Sequence, residues 1–139
     1  MSNTSLSPSS PASVDIWQSA ALTALRVMTG LLFLEHGTSK LLGFPHDPMF
    51  DGLQLVSLMG VAGMLELVGG LLIVVGLFTR PVAFVLSGMM AVAYFLAHGS
   101  KTFYPALNGG DAAILFCFIF LYFVAAGAGP YSLDARRRS

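Results

Sequence analysis

The stretch LVSLMGVAGMLELVGGLLIVVGLF, residues 55–78, decides the fold. A helix crosses a hydrocarbon core about 30 Å thick with roughly 17 to 25 mostly apolar residues. This stretch meets that length and carries one ionisable side chain, Glu66. A charge held at membrane depth is costly, so it is usually paired or functional. Working outward, three more apolar segments of similar length are predicted, at about Ala20–Leu42, Pro81–His98 and Asp111–Ala128. Pro81 suits the first turn of the third, and Asp111 could cap the fourth.

Composition agrees with this reading. The chain is 55% hydrophobic and 10% charged, with a formal net charge of zero. A soluble domain carries about 25% charged residues. The expected fold is therefore all-α, a four-transmembrane-helix bundle over residues 16–132. A Ser- and Pro-rich tail (residues 1–15), expected to be disordered, precedes it, and a basic tail (133–139) follows. A buried soluble four-helix bundle is disfavoured, because the last two segments have no polar face for water. No Lys or Arg precedes Arg26, so the first segment lacks a signal-peptide start and is expected to be retained. No basic stripe points to nucleic acid. Cys117 is the lone cysteine, set among Phe116, Phe118 and Ile119, and reads as a small apolar residue.

Lys and Arg gather on the cytoplasmic side of membrane proteins. Four spans put Arg26, Arg80, Arg136, Arg137 and Arg138 on one side, and Lys40 and Lys101 on the other. Both termini are therefore expected to be cytoplasmic. Trp17, Tyr104 and Tyr131 suit interfacial anchors.

Helical rise places His36, Glu66 and His98 about 24, 18 and 25 Å above the inner boundary. Lys40 lies higher, but helical side chains lean toward the N-terminus, here downward. A polar layer of His36, Lys40, Glu66, Tyr94 and His98 is thus expected in the outer half. Arg26, Gly30, Phe33, Gly37 and Lys40 share one stripe of the first helix. Gly63, Glu66 and Gly70 share a face of the second, and small residues let membrane helices approach closely. Lys40 is the first expected partner of Glu66, His36 the second, and Arg26 a deeper option. The bland reading makes Arg26, Lys40, Glu66 and Arg80 structural ion-pair residues. Glu35 departs from the stripe by about 180°. His36-Gly37-Thr38-Ser39-Lys40 is echoed by His98-Gly99-Ser100-Lys101, either by a duplicated hairpin or by chance.

Several of these residues also form an ordered series. Leu25-Arg26, Gly30 to Leu34, His36-Gly37 and Lys40-Leu41 resemble the opening signature of the DoxX family. Glu66 with Gly69-Gly70, Gly76-Leu77 and Thr79-Arg80 resembles its second-helix signature. His98, Asn108-Gly109-Gly110, Gly127, Gly129 and Ser132-Leu133-Asp134 complete the series. The resemblance implies a four-helix protein of the bacterial inner membrane. Some members of that family are associated with quinone-linked thiosulfate oxidation. Others are linked to thiol or oxidative-stress defence, or to detoxification of catechols and quinones. Asp111 stands where Glu is common, and Glu35 beside His36 is less usual.

Three functions fit. The first is an accessory subunit of quinone- or thiol-linked redox metabolism. A quinone head group needs hydrogen-bond partners and a proton relay, which His36, Lys40, Glu66, Tyr94 and His98 supply. The chain has no haem, flavin or iron–sulfur signature, so it is not expected to act as an oxidoreductase alone. It would need a redox partner protein or a homo-oligomer. The second is a non-catalytic, partner-binding scaffold. The third is a small-solute or proton transporter working as an oligomer. His36, His98 and Glu66 form a recognised type of ligand set, but no close spacing such as HExxH supports a metal, and none is expected.

Overall fold

The computed structural model describes residues 11–137, with side chains from residue 15. Of the expected N-terminal tail, residues 1–10 lie outside the described residues, as do Arg138 and Ser139. Every described element is helical: α1 (Pro11–Leu42), a 3-10 turn (Pro48–Phe50), α2 (Leu58–Val75), α3 (Thr79–Ala93), a π-helical extension of α3 (Tyr94–Gly99), α4 (Pro105–Asn108), α5 (Asp111–Ala126) and α6 (Leu133–Arg136). Three of these segments are long and apolar enough to cross a membrane: Asp15–Leu42, Leu58–Val75 and Thr79–Gly99. The fourth apolar helix, α5, is shorter at 16 residues.

The helix ends follow from local chemistry. Ser57 caps α2, its hydroxyl accepting from the Gly60 N–H at 3.0 Å, so α2 starts at Leu58 rather than Leu55. α2 stops at Gly76, whose φ of 67° is left-handed. The Gly76 and Leu77 N–H groups then turn back onto the Ile73 and Leu72 carbonyls at 3.2 and 2.9 Å, a Schellman ending. α3 starts at Thr79, two residues ahead of the expected Pro81. Its cap comes from far along the chain: Asp134 Oδ1 accepts from Phe78 N and Oδ2 from Thr79 N, at 2.8 and 2.9 Å. Phe78 itself has a φ of 50°, a region non-glycine residues rarely occupy. Gly110, not Asp111, occupies the cap position of α5, and Asp111 is the first helical residue. There its carboxylate still complements the positive end of the helix. The basic tail expected over 133–139 opens instead with α6 and is tied back through Asp134.

α1 and α2 pack backbone to backbone. A Cβ on Gly37 would fall 2.4 Å from Leu67 N and 2.7 Å from its Cα. On Gly70 it would fall 2.7 Å from Leu34 N. Without hydrophobic drive between helices in lipid, such close approach is a main source of association. Behind this seam lies the apolar core of Phe33, Ile73, Leu86, Met90, Phe120 and Phe123. Phe33 meets Phe120 edge-on with ring centroids 4.9 Å apart.

Gly37→Ala tests the seam. Alanine gains about 0.5–1 kcal/mol of helix preference, but its methyl forces the backbones apart at a cost of about 1–3 kcal/mol. The expected outcome is a lower unfolding temperature in detergent. A variant as stable as the wild type would show that the helices are not in backbone contact there.

Candidate functional site

The structure divides the expected polar layer into separate groups. Lys40 and Glu66 meet as proposed from depth and face: Lys40 Nζ donates to both carboxylate oxygens, at 2.5 and 2.6 Å. Their side chains are 10% and 4% exposed, so the pair is nearly sealed. Lys40 Nζ also lies 5.7 Å from the Phe50 ring centroid. A cavity of about 240 Å³ opens beside it, lined by Ser39, Lys40, His46, Asp47, Phe50 and Asp51.

Tyr94 and His98 gather at the far end of α3 with a residue the sequence reading left aside, Asn108. The π-helical turn carries both rings, stacked at 6.5 Å and 23°. His98 Nδ1 lies 3.0 Å from the Asn108 carbonyl. A carbonyl only accepts, so Nδ1 carries the proton and Nε2 of the neutral ring is left as an acceptor. The Asn108 amide donates to the Thr102 carbonyl at 2.8 Å and to the Tyr94 hydroxyl at 3.4 Å. Its Oδ1 accepts from Gly110 N at 2.7 Å. Asn108 is buried and stitches the α3–α5 connection together. The Asn-Gly-Gly run was the available signal, but its partners could not be read from spacing.

His36 joins neither group. It is exposed, its Nδ1 lies 2.7 Å from the Leu32 carbonyl one turn below, and its ring stands edge-on to Phe116. Position 36 borders the buried stripe rather than lying on it, which turns the ring away from Glu66. Like His98, it keeps Nδ1 as donor. The two echoed motifs therefore both turn Nδ1 onto a backbone carbonyl but differ in backbone, the first being α-helical and the second running from the end of the π helix into a turn. Glu35 is exposed. Among the described residues, no group of three or more His, Cys, Asp or Glu side chains is placed to hold a metal.

Midway along α1, Arg26 is 1% exposed and binds four backbone carbonyls rather than pairing with Glu66. Nε donates to Ala128 at 3.0 Å, Nη1 to Ile73 and Val74 at 2.7 and 2.5 Å, and Nη2 to Tyr131 at 2.7 Å. Ile73 and Val74 lie in the last turn of α2, where the Ile73 carbonyl is met only by the capping Gly76 N–H and the Val74 carbonyl lacks an intrahelical partner. Arg26 thus welds that terminus to the 128–131 turn. The Asp134 carboxylate acts on it electrostatically. Arg80, also expected in an ion pair, donates Nη1 to the Val124 carbonyl at 3.0 Å. Both arginines seek carbonyls because the helix and turn ends beside them expose carbonyls.

The DoxX family model matches residues 21–99. An uncharacterized protein of Haemophilus influenzae is 45% identical over 118 residues, which cover 81% of this chain and 87% of that protein. A Bacillus subtilis protein named "Putative oxidoreductase CatD" is 45% identical over 60 residues, 42% of this chain and 45% of that protein. No solved structure matches the chain. The family match spans α1 to the π turn, the elements that carry Lys40, Glu66, Tyr94 and His98, and with the apolar helices it identifies this chain as a multi-pass membrane protein belonging to the DoxX family.

Proposed function

We infer that this protein is an accessory membrane subunit of quinone- or thiol-linked redox metabolism, with Tyr94, His98 and Asn108 as its working site. It resides in the bacterial inner membrane with both termini cytoplasmic, beside a redox partner protein or a second copy. The observation that carries this reading is the contact between His98 Nδ1 and the Asn108 carbonyl. With Nδ1 held by the Asn108 carbonyl at 3.0 Å, Nε2 is poised to accept a proton from a quinol or thiol, and can return it once protonated. π-Helical turns occur frequently at functional sites. The redox wording in the name of the Bacillus subtilis relative lends support.

The residues suit a quinol head group: Nε2 accepts from a hydroxyl, while the Tyr94 ring offers a flat apolar face. A bound quinone would supply two-electron, two-proton chemistry. This chain's own part would be to bind, orient and exchange one of the two protons at His98 Nε2, the other passing to the partner or to water. The electrons pass to or from the partner. Lys40–Glu66 and Arg26 are satisfied within the fold, and this supports a structural role for them.

Mass spectrometry of small molecules extracted from the detergent-purified protein tests the reading, alongside an equally folded His98→Leu variant. Isoprenoid quinone near stoichiometric in the wild type and at least about tenfold lower in the variant is expected. A wild type free of quinone and inert toward thiols would overturn the redox assignment in favour of a non-catalytic scaffold.

A further inference from the structure

The Arg26 end of the bundle holds a second cationic site that the redox reading does not use. Arg80 is exposed, and only its Nη1 has a protein partner among the described residues, the Val124 carbonyl. Its other edge borders a cavity of about 380 Å³, lined by Gly127, Gly129, Pro130, Asp134 and Ala135. Water's share of liquid volume is about 30 Å³, so the space admits a polar group much larger than one water. Gly127 keeps it open: a Cβ there would sit 3.3 Å from Arg80 Nε and 3.5 Å from Nη2.

The charges nearby define what fits. Arg26 spends its donors on four carbonyls. The Asp134 carboxylate, among the described residues the one acidic group in the cavity wall, accepts from the Phe78 and Thr79 N–H groups through its two oxygens. That leaves the Arg80 guanidinium edge facing the cavity. Guanidinium matches a phosphate by paired, charge-assisted hydrogen bonds.

The position within the membrane narrows the ligand further. Arg80 begins a membrane-length helix. Phe84 and Gly88 follow at i+4 and i+8, on the same face. Phe84 is 67% exposed, and a Cβ on Gly88 would meet nothing within 4 Å. An open apolar track therefore leads from the guanidinium toward the bilayer centre. We propose that Arg80 and the Gly127–Gly129 turn form a binding site for the headgroup of an anionic phospholipid, with an acyl chain lying along Phe84 and Gly88. Basic pockets at one end of a helix bundle recognise lipid phosphates in this manner.

Native mass spectrometry tests the site. The full-length protein in mild detergent is doped with dioleoyl phosphatidylglycerol, dioleoyl phosphatidylcholine or inorganic phosphate. Retention of phosphatidylglycerol well above phosphatidylcholine is expected. It should fall at least about tenfold in Arg80→Gln, which loses charge-assisted hydrogen bonds worth about 1.5–3 kcal/mol. Gly88→Leu fills the track without displacing any neighbour. It should weaken long-chain phosphatidylglycerol but spare the dihexanoyl form, and this arm stands even if Arg80→Gln folds poorly. Equal retention of the two dioleoyl lipids, or insensitivity to both substitutions, would overturn the proposal. Inorganic phosphate competing at equal concentration would reassign the site to a free anion.

Discussion

Arg26→Met lowers the stability of the protein by about 3–5 kcal/mol, the range for stranding buried polar groups. Each orphaned buried acceptor costs about 1–3 kcal/mol, and of the four that Arg26 serves, Val74, Ala128 and Tyr131 lose their partner while Ile73 keeps the Gly76 N–H. The losses are not additive, because the freed turn relaxes and its carbonyls find water at the bundle end. Methionine keeps most of the side-chain volume, so the measured loss reports the hydrogen bonds rather than a cavity. Arg26→Lys restores the charge but not the planar fork, and recovers only part of the loss. In a thermal unfolding series, Arg26→Met falls on the order of 10 °C below the wild type. A shift of a degree or two would mean that the guanidinium does not hold these two termini together.

The Lys40–Glu66 pair gives the second large effect, and its signature is a cycle rather than a single number. Lys40→Met leaves the Glu66 carboxylate, in a residue 3% exposed, without its partner, at a cost of about 3 kcal/mol. Glu66→Gln strands the ammonium in the same way. The double variant removes both charges, and its stability returns to within roughly 1 kcal/mol of the wild type. The resulting coupling energy is about 5 kcal/mol, above the roughly 0.5–3 kcal/mol usual for residues in contact. Losses that simply add would show that Lys40 and Glu66 act independently, and would return Glu66 to the list of proton-relay candidates. Measured values in lipid run smaller than in water, because the unfolded chain in the membrane also finds partners.

Lys40–Glu66 was legible in the sequence because helical geometry fixes both terms of the problem. Rise sets depth, and the 3.6-residue period sets direction. The same period told that Gly30 and Gly37 lie on the α1 seam. The partners of Arg26 were not legible, since carbonyls exist at every position and only the ending of α2 selects which are free. The Asp134 cap was hidden for a related reason. It closes across 55 and 56 residues onto Thr79 and Phe78, and no local pattern announces it. For His98, depth came from rise, but the π-helical turn shifts side-chain direction from the ideal period. The sequence therefore placed His98 near His36 in height while the fold gave it Asn108 as neighbour.

The Arg26 weld and the Asp134 cap together impose an order on biosynthesis. α1 carries a guanidinium two of whose four acceptors, at Ala128 and Tyr131, are translated 102 and 105 residues later. The start of α3 likewise awaits Asp134. A nascent chain halted before Ala128 holds a guanidinium with half of its acceptors and an α3 start without its cap. Closure of the bundle thus waits on residues 128–134, which secure a helix made long before them.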